Sequence, residues 1–301
     1  MKKNIYFILV GLCLFVNAQQ DPLYSLYMTN MQAINPAYAG IHSNLVASVN
    51  YRSQWVNLPQ NPVTMTAGVH SSLFQDYVGG GIMVVQDQIG VVKNNETYLM
   101  GSYQIGGDEF KLSFGLQFGM LSQRFDYSML SLDPVAADPL LAESPATTKL
   151  NFGTGLAFIS DAVFIGVSIP RIAQPVMSSD EISSLPADKT VYITGSSIFP
   201  LDVETELQPS FLIRYAGSSN FSYDAGVNWV YNRFFIAGLF TRELSSFGDV
   251  VGLRLMNKLD VRYSFEAYTQ DFDGLNNYAH ELSLKFNFSV FPWHDEIESI
   301  F

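Results

Sequence analysis

The residues able to do chemistry are few and scattered. The four histidines, His42, His70, His280 and His294, stand far apart and never in a metal-ligating spacing such as HExxH. Ser48, Ser113 and Ser283 fall at inward positions of their strands, so one of them could meet His70 or His280 in space as a nucleophile and base. Nothing in the spacing requires such a pair, and ordinary polar wall residues are the simpler reading. Asp271-Phe272-Asp273-Gly274 sets two carboxylates one residue apart ahead of a glycine, loosely like the start of a calcium loop. The distal glutamate that such a loop needs is missing, which leaves a turn. Gly79-Gly80-Gly81 lacks the Gly-Lys-Ser/Thr continuation of a phosphate loop, and reads as a bend with close packing. No catalytic residue, cofactor site or metal site is therefore expected, and the chain is not read as an enzyme.

The elements around these residues are strands. Charged residues are only 15% of the chain and aromatics 14%, with 22 glycines, a balance that suits a barrel facing lipid outside and small or polar residues inside. A net charge of -12 excludes a nucleic-acid partner, which needs a basic surface. Lys2 and Lys3, an apolar run from Ile5 to Val16 and the small Ala18 make residues 1–18 a cleavable secretory signal. That run is shorter than the roughly 20 apolar residues of a spanning helix. Cys13, the only cysteine, lies within the leader, so the mature chain holds no disulfide or thiolate site.

After residue 43 the hydrophobic period is two, the mark of a half-exposed strand. Strands are expected at about 44–52, 63–70, 77–86, 94–105, 110–120, 149–160, 162–169, 190–199, 204–215, 221–231, 233–241, 248–256, 259–269 and 280–288, about fourteen in all. The clearest has Phe110, Leu112, Phe114, Leu116, Phe118 and Met120 on one face against Lys111, Ser113, Gly115, Gln117 and Gly119 on the other. With both termini periplasmic, every periplasmic connection is short, whereas the longest stretches, Gln123–Thr148 and Pro170–Lys189, fall on the opposite side. The fold class is accordingly all-β, a transmembrane outer-membrane β-barrel of about fourteen antiparallel strands with a short N-terminal helical or extended insert. Tyr98, Tyr103, Phe125, Tyr127, Tyr192, Phe199, Trp229, Tyr231 and Phe234 are placed in interfacial girdles. Arg52, Lys111, Glu206, Arg214, Asp224, Arg254, Arg262, Glu266, Glu281 and Lys285 point inward, and their mixed signs suggest a narrowed or plugged lumen and not a packed core or an open pore.

The motifs then run in a recognisable order. QQDPLYSLYMTNMQAINPAYAG at Gln19–Gly40 is followed by Tyr51-Arg52-Ser53-Gln54-Trp55, by Pro62 and Val69-His70, by GGGIMVVQDQIG at Gly79–Gly90, by NFGTGLAFISDAVFIGVSIP at Asn151–Pro170 and by HELSLKFNF at His280–Phe288. This series resembles the PorP/SprF family of type IX secretion system membrane proteins of Bacteroidetes, over essentially the whole mature chain. The resemblance implies an outer-membrane barrel somewhat like the fatty-acid transporters, without enzymatic activity. Its partners would be type IX secretion components, outer-membrane lipid, and a secreted adhesin or other cargo with a C-terminal sorting domain, whose secretion or surface retention it supports. One departure is the acidic tail after Phe288.

These readings divide the chain into a signal peptide (1–18), an N-terminal insert or plug (19–43), a barrel (44–289) and a periplasmic tail (290–301). Within the insert, Asn30 and Asn35-Pro36 act as breakers, giving an extended start and a short helix that ends before Pro36. It is expected to pack in or under the periplasmic mouth, contacting Arg52 or other inward charges. The candidate plug and partner residues are Asp21, Pro22, Tyr27, Asn35, Pro36, Tyr38, Gly40, Arg52, Gln54 and Trp55. The alternative function is a porin or a FadL-like channel for small or hydrophobic solutes, which needs a continuous open path.

Overall fold

The computed structural model describes residues 22–42, 44–74, 77–107, 109–127, 146–173, 189–216, 220–256, 258–269 and 277–290. Its strands are β1 (Leu45–Ser53), β2 (Val63–Leu73), β3 (Val78–Ile89), β4 (Val92–Gly106), β5 (Phe110–Phe125), β6 (Ala146–Ser160), β7 (Val163–Ala173), β8 (Thr190–Ser197), β9 (Phe199–Pro200), β10 (Thr205–Ala216), β11 (Asn220–Tyr231), β12 (Phe235–Arg242), β13 (Ser246–Leu255), β14 (Leu259–Tyr268) and β15 (Tyr278–Phe288). β8 and the two-residue β9 both pair with β10 and form one wall position interrupted at Ile198. The wall is thus a closed antiparallel barrel of 14 strands. The seam is the β1–β15 ladder, which runs from Leu45↔Phe288 to Ser53↔His280. Closure leaves no strand edge free to aggregate.

Alternation sets the two faces. On β5 the six apolar side chains Phe110 to Met120 are between 42% and 69% exposed, while Ser113 and Gln117 between them are buried. A strand that exposes its apolar face is the inverse of a soluble sheet and belongs against hydrocarbon. At one end of the barrel the connections at 161–162, 232–234 and 256–258 are tight; at the other, the chain between Phe125 and Ala146 and between Ala173 and Thr190 is long. These are the turn end and the loop end below. Three loop-end connections, at 90–91, 217–219 and 243–245, are also short, so length sorts by side only for the turns.

The interior differs from the expected polar lumen. Tyr98 and Tyr192 are buried and point inward, not into the girdles, because Tyr98 shares parity with Glu96 and Met100, and Tyr192 with Thr194. They join an apolar core inside the barrel: Tyr24, Tyr27, Met31, Ile34, Tyr38, Phe164, Tyr192 and Leu212 pack together, and Ala39, Met83, Val85, Tyr98 and Met100 form a second group. His280 alternates outward with Leu282, beside Tyr263 and Phe265, which removes it from the lumen. Tyr103, Phe199, Trp229, Tyr231 and Phe234 are exposed on the outer side.

Most of the first core group comes from the segment before β1. In place of a single helix it forms three turns of 3-10 helix, Tyr27–Thr29, Met31–Ala33 and Pro36–Tyr38. Pro36 starts the third turn and does not end the run. Asn35 is extended, and its Oδ1 accepts from the Ala37 N–H at 2.9 Å, so it caps a turn whose first residue has the φ that proline supplies.

Candidate functional site

The site is the contact between this N-terminal segment and the barrel lining. It begins at the loop end, where charges of both signs from six strands pair in a chain. Asp224 on β11 holds Arg214 of β10 at 2.7 Å and Arg242 of β12 at 3.0 Å. Arg242 also meets Glu266 of β14 at 3.1 Å, and Glu266 meets Arg52 of β1 at 2.7 Å. Arg52 then reaches Glu281 of β15 at 3.1 Å. The plug completes the network: the Ser25 and Leu26 N–H groups donate to Glu281 at 2.6 and 3.2 Å, Ser25 Oγ donates to Glu266 at 2.8 Å, and Arg242 donates to the Tyr24 carbonyl at 3.4 Å. Arg52, Glu266 and Glu281 are all but inaccessible to solvent, so each charge depends on these partners.

From there the segment descends the lumen. Tyr27 Oη donates to Ser210 at 3.0 Å, and burial pushes its phenol above the ordinary range. Asn30 donates to Thr66 at 3.0 Å, and Asn35 Nδ2 to the Leu156 carbonyl at 2.9 Å. Wall side chains meanwhile satisfy the segment's own backbone: Ser168 donates to Ile34 O, Ser113 to Ala37 O, Ser102 to Ala39 O and Gln104 to Gly40 O, at 2.6 to 2.7 Å. Buried carbonyls demand such partners. Glycines make the approach possible. A methyl group on Gly115 would overlap Pro36 and Ala37, and one on Gly79 would overlap the Ala39 carbonyl.

At the turn end Gly40 has φ +67°, and its N–H donates to His70 Nδ1 at 3.1 Å. His70 is therefore a buried acceptor for the segment's backbone. Tyr38 packs edge-on against His42, His70 and Phe164, and its Oη lies 2.9 Å from His42 Nε2. Burial, followed by the positive charge of Lys285, holds the His42 imidazole well below the usual histidine range.

The structure distributes the candidates accordingly. Tyr27, Asn35, Pro36, Tyr38, Gly40 and Arg52 come together in the plug contact. Pro22 lines a cavity beside Glu96 and Arg171, and Asp21 lies outside the described residues. Gln54 and Trp55 are at the loop end, where Gln54 donates to Tyr268 at 3.2 Å and the Trp55 ring lies 6.2 Å from it. Arg52 is also at the loop end, one residue from the end of β1, and the segment meets it there through Ser25. Ser113 and Ser283 are taken up by Ala37 and Thr29. The Asp271–Gly274 turn lies outside the described residues, and among those described no group of three or more His, Cys, Asp or Glu could hold a metal.

Sequence reasoning missed several lining charges, Arg242, Asp260, Glu96 and Arg171 among them. Arg242 lies one position past the expected end of its strand, and Asp260, held at 2.8 Å by Arg262, shares parity with Arg262 and Glu266. Glu96 meets Arg171 at 2.7 Å, and its parity with Ser102 was readable. That of Arg171 was not, because the ladder shifts register between Phe152 and Thr154. Two cavities beside the plug measure about 20 and 30 Å³, room for a water each.

A closed barrel with a lipid-facing exterior and a lumen filled by its own N-terminal segment is an outer-membrane β-barrel protein. The chain belongs to the family of type IX secretion system membrane proteins PorP/SprF, which it matches over residues 16–286. No curated protein matches it. Among solved structures it is similar to the Acinetobacter baumannii outer membrane protein Omp33, at 9% identity and a TM-score of 0.50, covering 83% of this chain and 100% of that one. It is likewise similar to the Pseudomonas putida toluene transporter TodX, at 8% identity and 0.50 over 85% and 93%, and to the monoaromatic hydrocarbon channel CymD, at 11% and 0.50 over 87% and 93%. At such identities the likeness concerns the fold alone.

Proposed function

We propose that this barrel is a non-enzymatic partner of the type IX secretion machinery that supports the secretion or surface retention of cargo such as a gliding adhesin. In this reading residues 1–18 are a cleaved leader, 19–43 a plug, 44–289 the barrel and 290–301 a tail, with the turn end and the tail in the periplasm. The observation that carries it is the filled lumen: wall hydroxyls bind the plug's carbonyls and six charges clamp its start. A steadily open pore would leave that space empty. The fold shared with a toluene transporter and a hydrocarbon channel favours the second reading, a solute channel. Against it stands the N-terminal segment itself, which occupies the lumen among the described residues. Affinity purification from the native outer membrane tests the proposal. Type IX components and a secreted protein with a C-terminal sorting domain should co-purify, and recovery of neither would overturn it.

A further inference from the structure

The outward face of β13 presents Phe247, Asp249, Val251 and Leu253, and Asp249 is the one carboxylate on the outward face of the described strands. It pairs across the ladders with Leu239 of β12 and Phe265 of β14, both apolar. Leu239, Phe247 and Val251 around it are 68%, 51% and 45% exposed. Among the described residues Asp249 makes no hydrogen bond or ion pair.

Its depth follows from its position in the hairpin. Asp249 is five residues from Leu244 at the loop-end turn and seven from Met256 at the other. With a rise of about 3.3 Å per residue and a tilt of about 40°, it lies about 13 Å from one edge and about 18 Å from the other. That is deep in the apolar band, beyond the reach of headgroups or of a soluble protein. An ionisable group at such a depth is costly and marks a function when a partner neutralises it.

We propose that the outer wall around Asp249 is a docking surface for a different membrane-spanning protein that presents a lysine or arginine at this depth. Charge complementarity selects the occupant. A second copy of this chain offers no match, because Lys93 and Arg124, the outward cations of the described strands, sit at the loop-end extremes of β4 and β5, and His280 is engaged by Tyr263 at 2.6 Å. Leu239, Phe247 and Val251 supply the apolar frame that closes around the ion pair.

Photo-crosslinking in the native outer membrane tests this, with p-benzoylphenylalanine placed at Leu239 or Val251 and, as controls across the barrel, at Leu116 or Phe118. The expected result is one discrete adduct to a membrane protein from the first pair only. The adduct is kept by Asp249→Glu and lost with Asp249→Leu and Asp249→Lys, while heat-modifiable migration shows each barrel still folded. In detergent Asp249→Leu should be no less stable than the parent. No adduct, an adduct to a second copy of this chain, or one indifferent to Asp249→Lys would overturn the proposal. If type IX components still co-purify in that case, the surface assignment fails while the functional reading stands.

Discussion

Arg52 and Glu281 face each other across the seam where the first and last strands meet, 3.1 Å apart and withdrawn from solvent. Glu281 also accepts the Ser25 and Leu26 N–H groups, so one carboxylate ties both the closure of the wall and the start of the plug. Arg52→Ala should destabilise the barrel by about 3–5 kcal/mol, since it leaves the buried Glu281 without a cation and Glu266 with Arg242 alone. Ser25→Ala should cost about 1 kcal/mol. Denaturant unfolding in detergent micelles measures both, and equal costs would remove the asymmetry on which this anchor rests.

The glycine beneath the third turn offers a way to unseat the plug without touching a charge. Gly115→Val drives a side chain into Pro36 and Ala37. With the plug displaced, residues 22–40 should become cleavable by added protease in the folded barrel. Gly101→Val, where a Cβ meets nothing within 4 Å, should leave cleavage at the parent level.

Acid should loosen the turn end. The His42 imidazole is held below its ordinary value of 6.5, so the unfolded chain binds more protons than the folded one between the two values. Its stabilising share is complete above about pH 6.5 and is lost as pH falls below that. Unfolding midpoints measured from pH 8 to 4 should decline more steeply for the parent than for His42→Phe. Parallel profiles would remove His42 as the cause.

Much of the wall was legible because period-two alternation is local. On β5 from Phe110 to Met120 and on β15 from Leu282 to Phe288 one face is wholly apolar, and a sequence window shows it without knowledge of any partner strand. Tyr98 and Tyr192 misled because both faces of β4 and β8 carry apolar residues, so parity alone leaves open which face meets lipid; the answer lies in Ala39 for Tyr98 and in Met31, Ile34 and Tyr38 for Tyr192, all distant in sequence. The plug's course was hidden for the same reason. Its contacts with Ser113, Gly115 and Ser168 use small residues that look like ordinary barrel lining. Arg171 was lost to a register shift, which periodicity does not report.

Single-channel recording in planar bilayers tests the central claim, that the N-terminal segment fills the lumen. The intact protein should give no steady conductance, and a variant lacking residues 22–40 should open ion-passing pores of porin size. Steady pores from the intact protein, unchanged by that deletion, would contradict the account.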